Sequence, residues 1–142
     1  MNDKIDIIEI LLQDSNTAFL AISSVMASVV TLLYSIAFSK HDELIVICGI
    51  IKHGNKDPLV KAKKKSTINH IKRVKKALKQ SFLIFVVSLI NCVLSWIALG
   101  CRDSPFKVLL LVVISITAIL IIYLVIKLIC KLVRLYYTEL KT

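Results

Sequence analysis

Three groups of side chains in this sequence are placed to meet ions or phosphates. The first is a polar stripe. At 100° per residue, Asp3, Asp6, Glu9, Gln13, Thr17, Ala21, Ser24, Ser28, Thr31 and Ser35 fall within about a third of a helix circumference. Hydroxyls repeated along one face of a membrane helix either pack on another helix or face water, since hydrocarbon offers them no partner. The second group is nine basic residues within nineteen positions: Lys61, Lys63, Lys64, Lys65, Lys72, Arg73, Lys75, Lys76 and Lys79. The third is Asn91, which shares a helical face with Ser88, Cys92 and Ser95.

Covalent and metal chemistry find little support. His41, His53 and His70 lack metal-ligand spacing, and His41-Asp42-Glu43 reads as a solvated helix end. Cys48, Cys92, Cys101 and Cys130 form no CxxC pair, so neither a disulfide framework nor a zinc site is expected, although a bridge between copies through Cys101 stays open. There is no P-loop, dinucleotide fingerprint, HExxH or nucleophile elbow. No apolar stretch holds the ionisable pair that a proton relay needs. The expectation is a protein that is not an enzyme and carries no cofactor or metal.

The elements that must position these groups follow from hydropathy and charge. The chain has 142 residues, is 57% hydrophobic and has a mean hydropathy of +0.80, outside the range of soluble domains. Segments 17–38, 82–99 and 106–126 are long enough to cross about 30 Å of hydrocarbon, and none holds an acidic residue or an internal Lys or Arg. The section 40–79 carries a net charge of +9, residues 1–16 carry −3, and the tail beyond 126 is again basic. Three spans alternate sides, so the two basic sections share one. The positive-inside rule then predicts an all-α, multi-pass protein of the inner (cytoplasmic) membrane, N-terminus out and C-terminus in. Trp96, Tyr123, Tyr136 and Tyr137 suit the interfaces. An acidic flank and a long apolar run argue against a cleaved signal peptide.

The division along the chain is as follows. Residues 1–38 form an acidic amphipathic segment continuing into the first transmembrane helix. Residues 39–65 are a basic cytoplasmic section holding the apolar run 44–51, LIVICGII, either a strand or a segment buried against the bundle ends. Ser39 to Glu43 interrupts the apolar pattern, and Gly54-Asn55-Lys56-Asp57-Pro58 signals a turn. From Ser66, a suitable N-cap, 66–99 read as a basic stalk running unbroken into the second span. Residues 106–130 form the third helix, facing lipid, and 131–142 a basic tail.

Each polar group has two readings. The lysines either set topology and touch anionic lipid, or bind a nucleotide or oligonucleotide electrostatically. Asn91 and Ser95 read as helix-packing residues that fix register. Ala21, Ser24 and Ser28 make either a small-residue packing seam or part of a pore. Three helices cannot enclose water, so a pore requires a homo-oligomer, with Gln13, Thr17, Leu20, Ser24, Ser28, Thr31 and Ser35 on its axis. Asp3, Asp6 and Glu9 would then ring the outer mouth and attract cations, and Ile10 or Leu20 could close the pore by dewetting.

A short three-span chain with a hydroxyl-lined first helix and the segment KAKKKSTINHIKRVKKALKQ (61–80) resembles small membrane effectors of bacterial anti-phage defence. The channel subunit of the Hailong type is the nearest in style, and the membrane component of the Rex exclusion system is looser. The resemblance implies an ion-conducting oligomer, controlled by a nucleic-acid signal and so partnered with that signal's synthase. Two alternatives remain from the residues alone. One is a holin, though holins lack a forty-residue basic section. The other is a non-conducting anchor that binds anionic lipid or a partner enzyme.

Overall fold

The computed structural model describes residues 2–53, 57–101 and 104–139, with side chains from Ile7 to Tyr137 except Ser104. Apart from His53, Asp57 and Cys101, the described residues form three helices: α1 (Asn2–Lys52), α2 (Pro58–Gly100) and α3 (Ser104–Glu139), each long and apolar enough to cross a membrane. The side chains of Asp3 and Asp6 lie outside the described residues. At 1.5 Å per residue α1 is about 76 Å long, more than twice a bilayer's hydrocarbon. Much of it therefore projects beyond any membrane that the chain crosses.

Glycine and proline set the breaks. The first glycine is Gly49 and the first proline Pro58, and α1 runs without interruption from Asn2 to Lys52. Ser39 to Glu43 does not interrupt it, because charged side chains on a helix entering water break nothing. Lys40 and Glu43 instead form a salt bridge one turn apart, 3.0 Å. The run 44–51 is not a strand: it forms the last turns of α1, and its Ile47 is buried. Its β-branched residues tolerate helix because their inward face has something to cover.

Helix α2 starts eight residues before Ser66. Pro58 stands in its first turn, where the missing N–H costs nothing, and Asp57 Oδ1 accepts from Leu59 N at 2.9 Å. At the far end Cys101 N donates to Ile97 O, 3.1 Å, and α3 opens on Ser104-Pro105.

Buried positions recur every seven residues on all three helices. On α1 they are Leu12, Phe19, Met26, Leu33 and Ile47; on α2 Thr67, Val74, Ser81, Ser88 and Ser95; on α3 Lys107, Ile114, Ile121 and Leu128. A sustained seven-residue repeat is the signature of left-handed coiled-coil packing. Helix α2 lies between the other two and packs on both. Its seam is small, with Ala77 and Ala98 buried beside the serines, so both neighbours approach closely.

Polar contacts fix the antiparallel registers. Cys92 Sγ donates to Asn16 Oδ1 at 2.7 Å, and Lys63 pairs with Glu43 at 3.2 Å. Thr117 Oγ1 of α3 donates to Asn91 Oδ1 at 2.8 Å, and Gln80 Nε2 donates to Leu124 O at 3.2 Å. The apolar stretches of α2 and α3 are therefore level. That of α1 is not: Asn16, just before its apolar run, stands beside the middle of α2's. Thr31 and Tyr34 share a shallow cleft with Lys75 and Lys79.

Candidate functional site

Helix α1 is two-sided. The heptad Leu12, Phe19, Met26, Leu33 faces the bundle. Two residues round the helix is about 200°, so the parallel heptad Asp14, Ala21, Ser28, Ser35 faces away. Gln13, Thr17, Leu20, Ala21, Ser24, Ser28, Thr31 and Ser35 are all exposed, as is Asp14. Ser24, Ser28 and Ser35 thus face away from α2 and α3, whereas Thr31 borders the cleft with Lys75 and Lys79, and Leu20 borders another with Cys92, Val93 and Trp96 of α2; the small-residue seam inside this chain is on α2.

Three of the hydroxyls on this face are already partnered. Thr17 Oγ1 donates to Gln13 O at 3.1 Å, Ser28 Oγ to Ser24 O at 3.2 Å and Thr31 Oγ1 to Ala27 O at 3.0 Å. Each uses the free lone pair of a helical carbonyl one turn back. Among the described residues the side chains of Gln13 and Asp14 have no such partner.

Glu9 does not point freely from the mouth of this face. Lys107, 8% exposed at the start of α3, donates to Glu9 Oε1 at 2.9 Å, while Glu9 keeps half its surface. The pair joins the first and third helices at the end remote from the lysine cluster, and it offsets the Glu9 charge there. Charge counting alone treats Lys107 as a topology residue; only the parallel course of α1 and α3 reveals its partner.

Inside the bundle Asn91 is 1% exposed and Ser95 fully buried, its Oγ donating to Asn91 O at 2.9 Å. Asn91 Oδ1, accepting from Thr117 Oγ1, ties α3 to the central helix, while the Ser95 bond stays within α2.

No known protein family, curated protein or solved structure matches this chain. Geometry alone carries the functional reading.

The nine basic residues do not form one patch. Thr67, Ile71 and Val74 face inward, and the lysines fan around the rest of α2. Lys63 is turned to α1, where with Lys40 it holds the Glu43 carboxyl below its usual range. Lys75 and Lys79 border the cleft against Thr31 and Tyr34. Lys61, Lys65 and Lys72 are exposed and Lys64 half-buried. Lys76 and Lys79 meet Lys127, Lys131 and Arg134 of α3 across a groove of about 960 Å³, and Arg73 meets Lys131 and Arg134 beside it. Lys131 lies beyond the apolar run of α3. Burial, then the nearby Lys76 and Lys127, lower its pKa. These α3 cations were not among the residues expected at the site, because only the α2–α3 register brings them there. Among the described residues no three His, Cys, Asp or Glu side chains gather as a metal site.

Proposed function

We propose that this chain is the subunit of a homo-oligomeric ion channel, with the outward face of α1 turned to a shared, water-filled axis. The observation that carries the reading is the Asn16–Cys92 contact, 2.7 Å. The bilayer must lie across the apolar stretches of α2 and α3. Raising it to cover the apolar run of α1 would submerge Lys72, Arg73, Lys75, Lys76 and Lys79, at a cost of about 2.5–3.5 kcal/mol for each charge at the bilayer centre. With α2 and α3 embedded, Gln13 and Asp14 lie at hydrocarbon depth on the exposed side of α1. A hydroxyl bonded to its own helix tolerates lipid; an exposed carboxylate there does not. Water on a symmetry axis relieves it.

The same placement leaves the later part of α1's apolar run outside the hydrocarbon. Leu32, Tyr34 and Phe38 are 62%, 63% and 60% exposed beside the lysines. Apolar surface of that kind in water is covered by a neighbour, which in a homo-oligomer is another copy. The positive-inside rule puts the basic end in the cytoplasm. The expected pore set then divides: Gln13, Thr17, Leu20 and Ser24 line the membrane part, while Ser28, Thr31 and Ser35 line a vestibule beyond it. Asp14 joins the first group, and it outweighs Glu9, whose charge Lys107 offsets.

Control by an anionic cytoplasmic signal at the basic stalk, and a role in anti-phage defence by depolarising the inner membrane, are the functions this architecture suits best. The resemblance to small defence effectors supports that role. A non-conducting anchor is favoured by one observation, the internal hydrogen bonds of the Thr17, Ser28 and Thr31 hydroxyls. Recording purified protein in planar bilayers separates the two: discrete cation-preferring openings are expected, and a silent bilayer with protein verified as inserted selects the anchor.

A further inference from the structure

The groove between α2 and α3 at the basic end joins two surfaces that are seldom found together. Its rim is cationic, with Lys76 from α2 and Lys127, Lys131 and Arg134 from α3; its floor is apolar, with Phe82 and Val86. The change from one to the other falls at the same height on both helices, where Gln80 Nε2 donates to Leu124 O at 3.2 Å. None of the described lining residues is acidic. Lys127 also sits over the Tyr123 ring, 5.8 Å from its centre, which holds its ammonium group at the boundary. At about 960 Å³ the space is large enough for a phosphodiester headgroup and the upper part of its chains.

We propose that this groove is a binding site for one phospholipid with an anionic headgroup, its phosphate among Lys76, Lys127 and Lys131 and its acyl chains along Phe82 and Val86. Basic pockets between membrane helices on the cytoplasmic side recognise phosphate headgroups in this manner. A soluble oligonucleotide would satisfy the rim and leave the floor uncovered, whereas a lipid matches both. Lipid phosphate also relieves the mutual repulsion of the lysines, which no carboxylate in the groove does. The site stands whether or not α1 lines a pore.

Native mass spectrometry of the full-length protein in detergent tests this, with phosphatidylglycerol and phosphatidylcholine titrated separately. Phosphatidylglycerol should bind more tightly. Lys127→Gln with Lys131→Gln should weaken it about thirtyfold, at roughly fivefold for each basic residue near the headgroup. Lys127→Arg with Lys131→Arg should keep it, showing that the charge rather than a damaged fold is responsible. Lys61→Gln with Lys65→Gln removes the same charge from exposed positions outside the groove and should leave affinity unchanged. Equal losses in both glutamine pairs would reduce the effect to diffuse attraction and overturn the site. Equal binding of the two lipids would overturn it as well. Displacement of phosphatidylglycerol from the groove by a ten-nucleotide oligothymidine would reassign it to a soluble polyanion.

Discussion

A serine or threonine in a helix has an acceptor one turn back, and Thr17, Ser28 and Thr31 each use theirs. A carboxylate cannot use that acceptor, because it has nothing to donate when ionised. This asymmetry separates Asp14 from the hydroxyls along its face. In the proposed oligomer the copies of Asp14 would stand in a narrow, partly dehydrated ring, where their field on a passing cation would be strong. Asp14→Asn is expected to keep the channel open but roughly halve its reversal potential in a tenfold KCl gradient. Glu9→Gln is expected to do much less, since Lys107 already holds that carboxylate at 2.9 Å. A larger effect at Glu9 than at Asp14 would move the selective ring outward. Sequence periodicity shows the polar stripe well, but Asp14 lies at its edge and before the apolar run. Its membrane depth appears only when Asn16 meets Cys92.

At the level of elements, the three helices and the breaks that separate α1 from α2 and α2 from α3 are legible from hydropathy, glycine and proline. The extent of α1 and α2 beyond the apolar runs is less so. Ser39 to Glu43 reads as an interruption when polarity is taken for a boundary, yet it contains neither glycine nor proline. The heptad continues through it, with half-buried Lys40 in the place between Leu33 and Ile47 and paired to Glu43. Residues 44–51 look strand-like by composition, and tertiary packing overrides that preference. Outside the membrane the hydrophobic effect acts in full, so Ile47 should matter. Ile47→Ala is expected to cost the α1–α2 stalk about 2–4 kcal/mol and to speed amide exchange at 44–51 while leaving 17–26 protected. Unchanged exchange at 44–51 would mean that the end of α1 is not held by α2.

On the scale of the whole molecule, one offset organises the rest. Helices α2 and α3 align their apolar stretches, while α1 is shifted by several turns toward the basic end. With the bilayer across α2 and α3 as proposed, an isolated copy would be poorly served by that arrangement: polar Gln13 and Asp14 would meet lipid, and apolar Leu32, Tyr34 and Phe38 would meet water. Association about an axis through α1 would correct both faults together. Hydropathy treats each helix separately and has no term for the height of one beside another, which is why three flush spans are the expectation from composition.

Thiol accessibility tests the axis most directly. In an active protein lacking its native cysteines, Thr17→Cys, Ala21→Cys and Ser24→Cys would be exposed to a membrane-impermeant methanethiosulfonate, with Ile90→Cys on α2 and Ile119→Cys on α3, both exposed, as lipid-facing controls. A water-filled axis predicts rapid modification and blocked current at 17, 21 and 24, and slow reaction at 90 and 119. Equally slow reaction at all five positions would place the polar face of α1 in lipid or in a dry interface, and the pore with it would be lost.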